Sequence, residues 1–584
     1  MPESSQLRLV SYRSDRYLIE GDATKGPVPA IVPAAGVMPP RSPGRRRPFR
    51  LKIFHLNDLH GNVVKFTRFG SKPVFSKVVW RVEEVRRQWA RKENAAALFL
   101  TAGDDMAGSV FDELLGQKDP LHAGYHLYSA AGVDAGIIGN HDLDMGTAQL
   151  AHSIAQDAGF PLLAANLVHD PPLAYPAALI AIKGVRVGLI GLTTSAQIKW
   201  CQDALEIADP VQTLHNLLPA IQPLCDVLIV LSHLGNSTEA RSAEVPRVGD
   251  VELARSLPAG SVNLIVGGHT HQALNCGGLE AANVVNGIPI VQAGSLGQYL
   301  GEVTLTIADG DNATVTDARL IQTDDLPVAK SFERDWIQPL IYALSPIFNQ
   351  DLGYVQPHQD LTTEAIRNDF NAGESALANF ITDAIVDRCR HHGFRVDLAM
   401  IDHSIVRSGL PSNGRLTFRD WFNLMPTVDT IRLCCLTGRQ LLELIQDNAY
   451  RLARPDEPNT ENGFLHFSRT VRYTILQGHR RWSSQAINLT VGGESLATRL
   501  DHSFTVACHS FIRGSARSWE GHANGPLVDI RRWIYKDPGL FLRDELLAAI
   551  RERGGITGAQ RDGRIKVIQR SRLDASLPRA AITA

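Results

Sequence analysis

The sequence lacks long hydrophobic runs. Nowhere do roughly 18 apolar residues follow one another, and the apolar stretch 27–38 is broken by proline, so a membrane-spanning helix is not expected. A dominant charge is also missing: 59 Lys+Arg stand against 61 Asp+Glu for a formal net charge of −2. That balance leaves no electrostatic footprint for a nucleic-acid polymer, and the one basic cluster, Arg41 to Arg50, sits in a Pro-rich stretch. Cysteine is scarce and odd in number, seven in 584 residues, with no C-x-x-C pair, so buried free thiols are expected rather than a disulfide framework. The first 20 residues carry no apolar core of the roughly 7–15 residues a secretory signal needs. A cytoplasmic location is expected, with a periplasmic or secreted one if the start codon is mis-assigned. Neither G-x-S-x-G nor a P-loop lysine motif occurs, which disfavours covalent catalysis by serine.

With 44% hydrophobic and 21% charged residues, the chain has the composition of a globular protein and not of a disordered, collagen-like or coiled-coil one. Its length exceeds one ordinary core and predicts two large domains. Residues 1–50, rich in Pro, Ser and Arg toward their end, read as an N-terminal extension of uncertain order. From Leu51 the pattern alternates as βαβαβ: strand Leu51 to Leu56, helix Val74 to Trp89, strand Ala96 to Leu100, a helical stretch near His122 to Ala131, and strand Ala135 to Ile138. Further apolar strands are predicted at Pro161 to Leu167, Val185 to Leu192, Val227 to Leu231 and Val262 to Val266. Strands apolar on both faces, with helices between them, predict an α/β layered domain built on two sheets over 51–325. A polar, Pro-containing linker with a helix (326–350) then leads to a second alternating domain (351–570) and a C-terminal tail (571–584).

Each polar cluster in the first domain follows the carboxyl end of a predicted strand, where α/β sheets present their loops to ligands. These clusters are Asp58-Leu59-His60, Gly103-Asp104-Asp105, Gly139-Asn140-His141-Asp142, Ser232-His233 and Gly267-Gly268-His269-Thr270-His271. Carboxylate, imidazole and amide oxygen hold divalent metals such as Mn, Zn, Co and Fe, and two ions need about seven such ligands. Asp58, His60, Asp104, Asn140, His233, His269 and His271 supply them.

Read in order, D-x-H, G-D, G-N-H-[DE], a lone H and G-H-x-H resemble the calcineurin-like metallophosphoesterase superfamily, over roughly residues 51–320. Within it, GNHDLDMG at 139–146 resembles the GNHEFD box of the 5'-nucleotidase family. The resemblance implies a four-layer α/β/β/α sandwich, followed by a smaller α/β (α+β) substrate-binding domain. It assigns one metal to Asp58, His60 and His271 and the other to Asn140, His233 and His269, with Asp104 bridging. His141 and Asp144 match the family's catalytic His–Asp pair.

The second domain resembles the 5'-nucleotidase C-terminal domain more loosely. The family's Asn-Gly-Gly-Gly-Ile-Arg becomes Asp402-His403-Ser404-Ile405-Val406-Arg407, which keeps Arg407 as a candidate phosphate contact. The two aromatic base-stacking positions are disturbed: Pro426-Thr427-Val428-Asp429 replaces one motif, and Gly514 to Trp519 the other. Trp519 is the candidate replacement platform. The implied activity is hydrolysis of a nucleoside 5'-monophosphate or a related small phosphate monoester by a hydroxide bridging two divalent ions. The alternatives are a 2',3'-cyclic-nucleotide phosphodiesterase, a nucleotide-sugar pyrophosphatase, or a non-catalytic metal-stabilised binding protein. The expected partner is a small phosphate ester, with no nucleic-acid polymer and no membrane span.

Overall fold

The computed structural model describes residues 7–569 except 14, 38–47, 68–69, 107–108, 195–204, 238–247, 309–312, 357–360, 367–372, 407, 412–413, 426–429, 453–463, 479–482, 510–511, 513–529 and 537. Two compact units divide the chain, Met1–Leu344 and Ser345–Ala584.

In the first unit, strand Phe49–Leu56 lies beside Ala95–Thr101 in parallel and Tyr299–Ile307 in antiparallel, and the latter pairs with Ala313–Gln322. Opposite this four-stranded sheet lies a nine-stranded one. Its parallel centre consists of Ile288–Val291, Leu264–Gly267, Val227–His233 and Val185–Thr193, followed by antiparallel Ala177–Ile182. Leu51, Ile53, Leu98 and Leu100 from the small sheet meet Val187, Leu189, Ile229 and Leu231 from the large one, which explains why these strands are apolar on both faces. The outer face of the large sheet packs Ile190, Val230 and Ile265 against Leu214, Leu217 and Ile221 of helix Pro210–Ile221. Helix Phe75–Trp89 buries Phe75, Val78, Val79, Val82 and Val85 and packs against strand Ala95–Thr101. The result is the four-layer α/β/β/α sandwich.

Residues 1–50 are not merely an extension. Leu7–Arg13, Arg16–Glu20 and Ile31–Pro33 continue the large sheet beyond Ala177–Ile182, with Tyr17 opposite Leu179. Leu7, Leu9 and Ile19 are buried in the outer core and Leu18 in the inter-sheet core. The Pro- and Arg-rich part, 38–47, lies outside the described residues. The apolar run Pro161 to Leu167 also divides, into Leu162–Leu163 and Leu167–Val168. Asn166 forces the break: its side chain donates to Thr193 O and accepts from Thr193 N.

The segment after residue 326 is helical from Lys330 to Phe348, with a π-helical turn at Glu333–Ile337. In the second unit, a five-stranded sheet is ordered Leu465–Phe467, Leu398–Asp402, Ser503–His509, Ile431–Thr437, Ile534–Lys536. Helix Gly438–Arg451 starts at a Thr437/Gln440 capping box and buries Leu441, Leu444 and Ile445 against Leu398, Met400 and Val506. The described cysteines are free, but not all are buried: Cys276 and Cys435 are exposed, the latter because strand Ile431–Thr437 turns it outward. Among the described residues no helix is long and apolar enough to cross a membrane.

Candidate metal centre

The five strand ends converge. Asp58 and His60 follow Phe49–Leu56, Asp104 follows Ala95–Thr101, Asn140 follows Gly136–Ile137, His233 ends Val227–His233, and His269 and His271 follow Leu264–Gly267. The ligand atoms of Asp58, His60 and His271 lie within 4.8 Å of one another, as do those of Asp104, His233 and His269. His60 Nε2 is 3.2 Å from His271 Nε2, which is 3.3 Å from Asp58 Oδ1. Asp58 Oδ1 is also 3.9 Å from His233 Nε2, and His233 Nε2 is 3.0 Å from Asp104 Oδ2. Asn140 Oδ1 joins the second group, 2.9 Å from His269 Nδ1. All seven candidate ligands are brought together.

The backbone is bent to achieve this. Asp58 (φ 50°), His60 (φ 49°), Asp104 (φ 54°), His269 (φ 73°) and His271 (φ 58°) are all left-handed. That region is sparsely populated by non-glycine residues and costs roughly 1–2 kcal/mol for each. Such strain persists only where surrounding contacts over-determine it, and its concentration on these residues marks a functional constellation. Gly139 shows the same crowding from the other side: a Cβ there would lie 2.2 Å from Asp104 Oδ1.

Three features of the charge distribution fit divalent cations. His233 Nδ1 lies 2.6 Å from Ala102 O, which places a proton there and turns Nε2 toward Asp104. His233 Nε2 is fully buried and faces the Asp104 carboxylate. Burial would strip His233 of a second proton, yet Asp104 and Asp58 outweigh it and draw its pKa up to about 10, so the pocket itself attracts positive charge. Burial also keeps His60 and His269 neutral, at about 4 and about 3, as ligating imidazoles must be. Burial pushes the Asp104 carboxyl up, but His233 and His141 hold it well below the carboxylate range.

His141 and Asp144 flank the cluster. His141 Nδ1 is 2.7 Å from Asp144 Oδ2, and its ring lies edge-on to His60 at 5.3 Å. The His141 backbone N–H donates to Asp104 Oδ1 at 2.8 Å, so the two loops interlock.

Two loop residues outside the predicted ligand set prove structural. Asp142, buried, accepts from the backbone N–H groups of Gly139 (2.8 Å), Asp104 (3.1 Å) and Asp105 (3.2 Å), clamping the second loop to the third. Asn57, buried beside Asp58, donates to Asp58 Oδ2 (2.7 Å) and Gly294 O (2.6 Å) and accepts from Ala293 N–H (2.7 Å). The G-N-H-D-L-D spacing was the only signal for Asp142, and Asn57 had none.

In the second unit, Arg407 and Trp519 lie outside the described residues. Asp402 ends strand Leu398–Asp402, and its backbone N–H donates to His509 Nε2 at 3.2 Å. His403 is buried, its Nδ1 2.9 Å from His466 Nε2, where the family pattern has glycine.

A β-sandwich that collects carboxylates, imidazoles and an amide at its strand ends defines a class, and residues 51–273 match the calcineurin-like phosphoesterase family. Residues 355–521 match the 5'-nucleotidase C-terminal domain. Together the two matches fit the two-domain 5'-nucleotidase family of metallophosphoesterases. It is 24% identical over 530 residues to a 5'-nucleotidase of Vibrio vulnificus, covering 82% of this chain and 89% of that one. It is 25% identical over 439 residues to a snake venom 5'-nucleotidase of Crotalus adamanteus, covering 69% and 71%. A structure described as a 5'-nucleotidase from Staphylococcus aureus, in complex with alpha-ketoglutarate, superposes with a TM-score of 0.67 at 19% identity, covering 89% of this chain and all of that one, and shows the shared fold.

Proposed function

We propose that the protein is a dinuclear-metal phosphohydrolase that converts a nucleoside 5'-monophosphate, or a related small phosphate monoester, to an alcohol and phosphate. One observation carries the reading: seven ligand-type side chains from five strand ends, five of them held in left-handed backbone, meet around the buried Nε2 of His233.

Asp58, His60 and His271 would hold one ion and Asn140, His233 and His269 the other, with Asp104 between them. Mn, Zn, Co or Fe suits this donor set. Such a pair supplies a hydroxide nucleophile near neutral pH and neutralises charge on the phosphoryl oxygens. His141, oriented through Nδ1 by Asp144, stabilises phosphoryl charge as an imidazolium, and its Nε2 proton is the one it would deliver to a departing alkoxide. Asp142 and Asn57 hold the loops so that these groups need not reorganise during reaction. In the second domain, Arg407 binds phosphate and Trp519 offers an aromatic face to a base. The cytoplasmic location expected from the sequence belongs to this proposal, and fractionation of the native host with an antibody to the chain decides it.

The test is phosphate release from a panel of nucleotides and sugar phosphates, with Mn²⁺, Co²⁺, Zn²⁺ or Mg²⁺ added, beside a chromogenic monoester and the matching diester. Release from monoesters supports the reading. Turnover of the diester alone would move the protein to the phosphodiesterases, and turnover of neither would leave it a metal-stabilised binding protein.

A further inference from the structure

The left-handed backbone at His269 and His271 needs an external restraint, since neither residue adopts it readily. The register supplies one. Val266 pairs with Val291 across parallel strands, so the next residue, Gln292, lies alongside Gly267 at the root of the loop carrying both histidines. Gln292 is fully buried. Its Nε2 donates to Gly268 O at 2.5 Å, while its Oε1 accepts from Gln272 N–H at 2.5 Å and from Thr270 Oγ1 at 3.1 Å. The single amide therefore pins the loop before His269, between the two histidines, and after His271. The orientation of the amide is fixed by its partners, because only an oxygen can face an N–H and an O–H while the nitrogen faces a carbonyl. A further tie runs through Asn236, whose backbone N–H donates to Thr270 Oγ1 (3.1 Å) and whose side chain donates to Gln272 Oε1 (2.7 Å).

We propose that Gln292 is a positioning residue that locks His269 and His271 in the left-handed conformations from which their imidazoles reach the metal centre. The inference rests on the dinuclear reading above. Gln292 touches neither ion nor substrate; it acts only through the loop. Because the loop carries one histidine for each ion, its release weakens both sites.

The test is metal titration of metal-free wild-type protein and Gln292→Met, which keeps the length and approximate volume of the side chain but none of its hydrogen bonds. Free Mn²⁺ is followed by electron paramagnetic resonance, and phosphate release is measured at each Mn²⁺ concentration. Loss of a group that orients metal ligands typically costs about 10–100-fold in affinity. That loss is expected here, with kcat recovering toward wild type as Mn²⁺ is raised; general damage to the fold would not be rescued by metal. Thr270→Val, at a half-buried position that tolerates change better, removes one bond to Gln292 and one from Asn236 and is expected to shift affinity in the same direction by a smaller factor. Unchanged Mn²⁺ affinity in a folded Gln292→Met, or in Thr270→Val should the first variant fail to fold, overturns the role of Gln292 while the dinuclear reading stands. A wild-type protein that takes up no Mn²⁺ overturns both.

Discussion

Replacing His141 separates catalysis from metal binding, because the residue sits beside the ligands without belonging to either group. Its side chain is 15% exposed and that of Asp144 14%. Burial alone would lower the pKa of the ring, but Asp144, at 2.7 Å, and Asp104 outweigh it and raise the ring from 6.5 to about 9. That rise corresponds to roughly 3 kcal/mol in favour of the imidazolium. His141→Ala removes this cation from the transition state, and loss of such a group costs about 10²–10⁴ in rate, roughly 3–5 kcal/mol of barrier. Asp144→Asn leaves the ring but withdraws its charge partner, so a smaller loss is expected. Since the imidazolium is present below the ring pKa and lost above it, the alkaline limb of kcat should move to lower pH in that variant. The assay is steady-state phosphate release between pH 6 and 9 at saturating Mn²⁺, with metal content measured on the same samples. A His141→Ala enzyme within a few-fold of wild type would refute the reasoning, and so would one that loses its metal.

Asp104→Ala should release both ions together, if Asp104 bridges them; elemental analysis finding one ion retained would assign it to the His233 group alone. Arg407→Ala should raise KM for all phosphate substrates alike with kcat little changed, as loss of a contact made equally in ground and transition states does. Trp519→Ala should weaken nucleotides by about 1–3 kcal/mol and spare a sugar phosphate, whereas an equal loss on both would make Trp519 a packing residue. Burial pushes the Asp250 carboxyl up from its ordinary 3.8 to about 8, even though Ser232 donates to it. Between those values the unfolded chain has released a proton that the folded chain keeps, so the contribution of Asp250 to the stability of the metal-free protein falls as pH rises from about 4 to 8, against the buried His60 and His269, whose contribution rises up to about 6.5. That contribution approaches about 1.4 kcal/mol per pH unit at most, and Asp250→Asn should make the slope of stability against pH more positive by up to that amount in denaturant titrations across the range. An unchanged slope would mean that Asp250 is ionised in the fold.

The catalytic fold was readable because its strands are apolar on both faces. Leu51, Ile53, Leu98 and Leu100 announce a sandwich core, and the chemistry follows directly after each such run. The strands at Leu7–Arg13 and Arg16–Glu20 were missed for a topological reason. They pair with each other, Arg16–Glu20 pairs in turn with Ala177–Ile182 far along the chain, and local composition was dominated by the proline and arginine that follow. The ligand residues could be picked out by type and order, but not the left-handed backbone that aims them, because none of the five is glycine. Asn57, Asp142 and Gln292 were illegible as organisers: a polar side chain on a loop reads as solvated until the register brings carbonyls and N–H groups around it. The pairing of His403 with His466 likewise depends on strand Leu465–Phe467 lying beside Leu398–Asp402, which no local pattern reveals.

The most direct measurement is phosphate release from a nucleoside 5'-monophosphate by the full chain, before chelation, after it, and after Mn²⁺ is restored, with bound metal counted at each stage. The account predicts two ions per chain, turnover that vanishes with them, and recovery when both return. Turnover that survives complete removal of metal, or a two-metal protein that hydrolyses no phosphate ester, would contradict it.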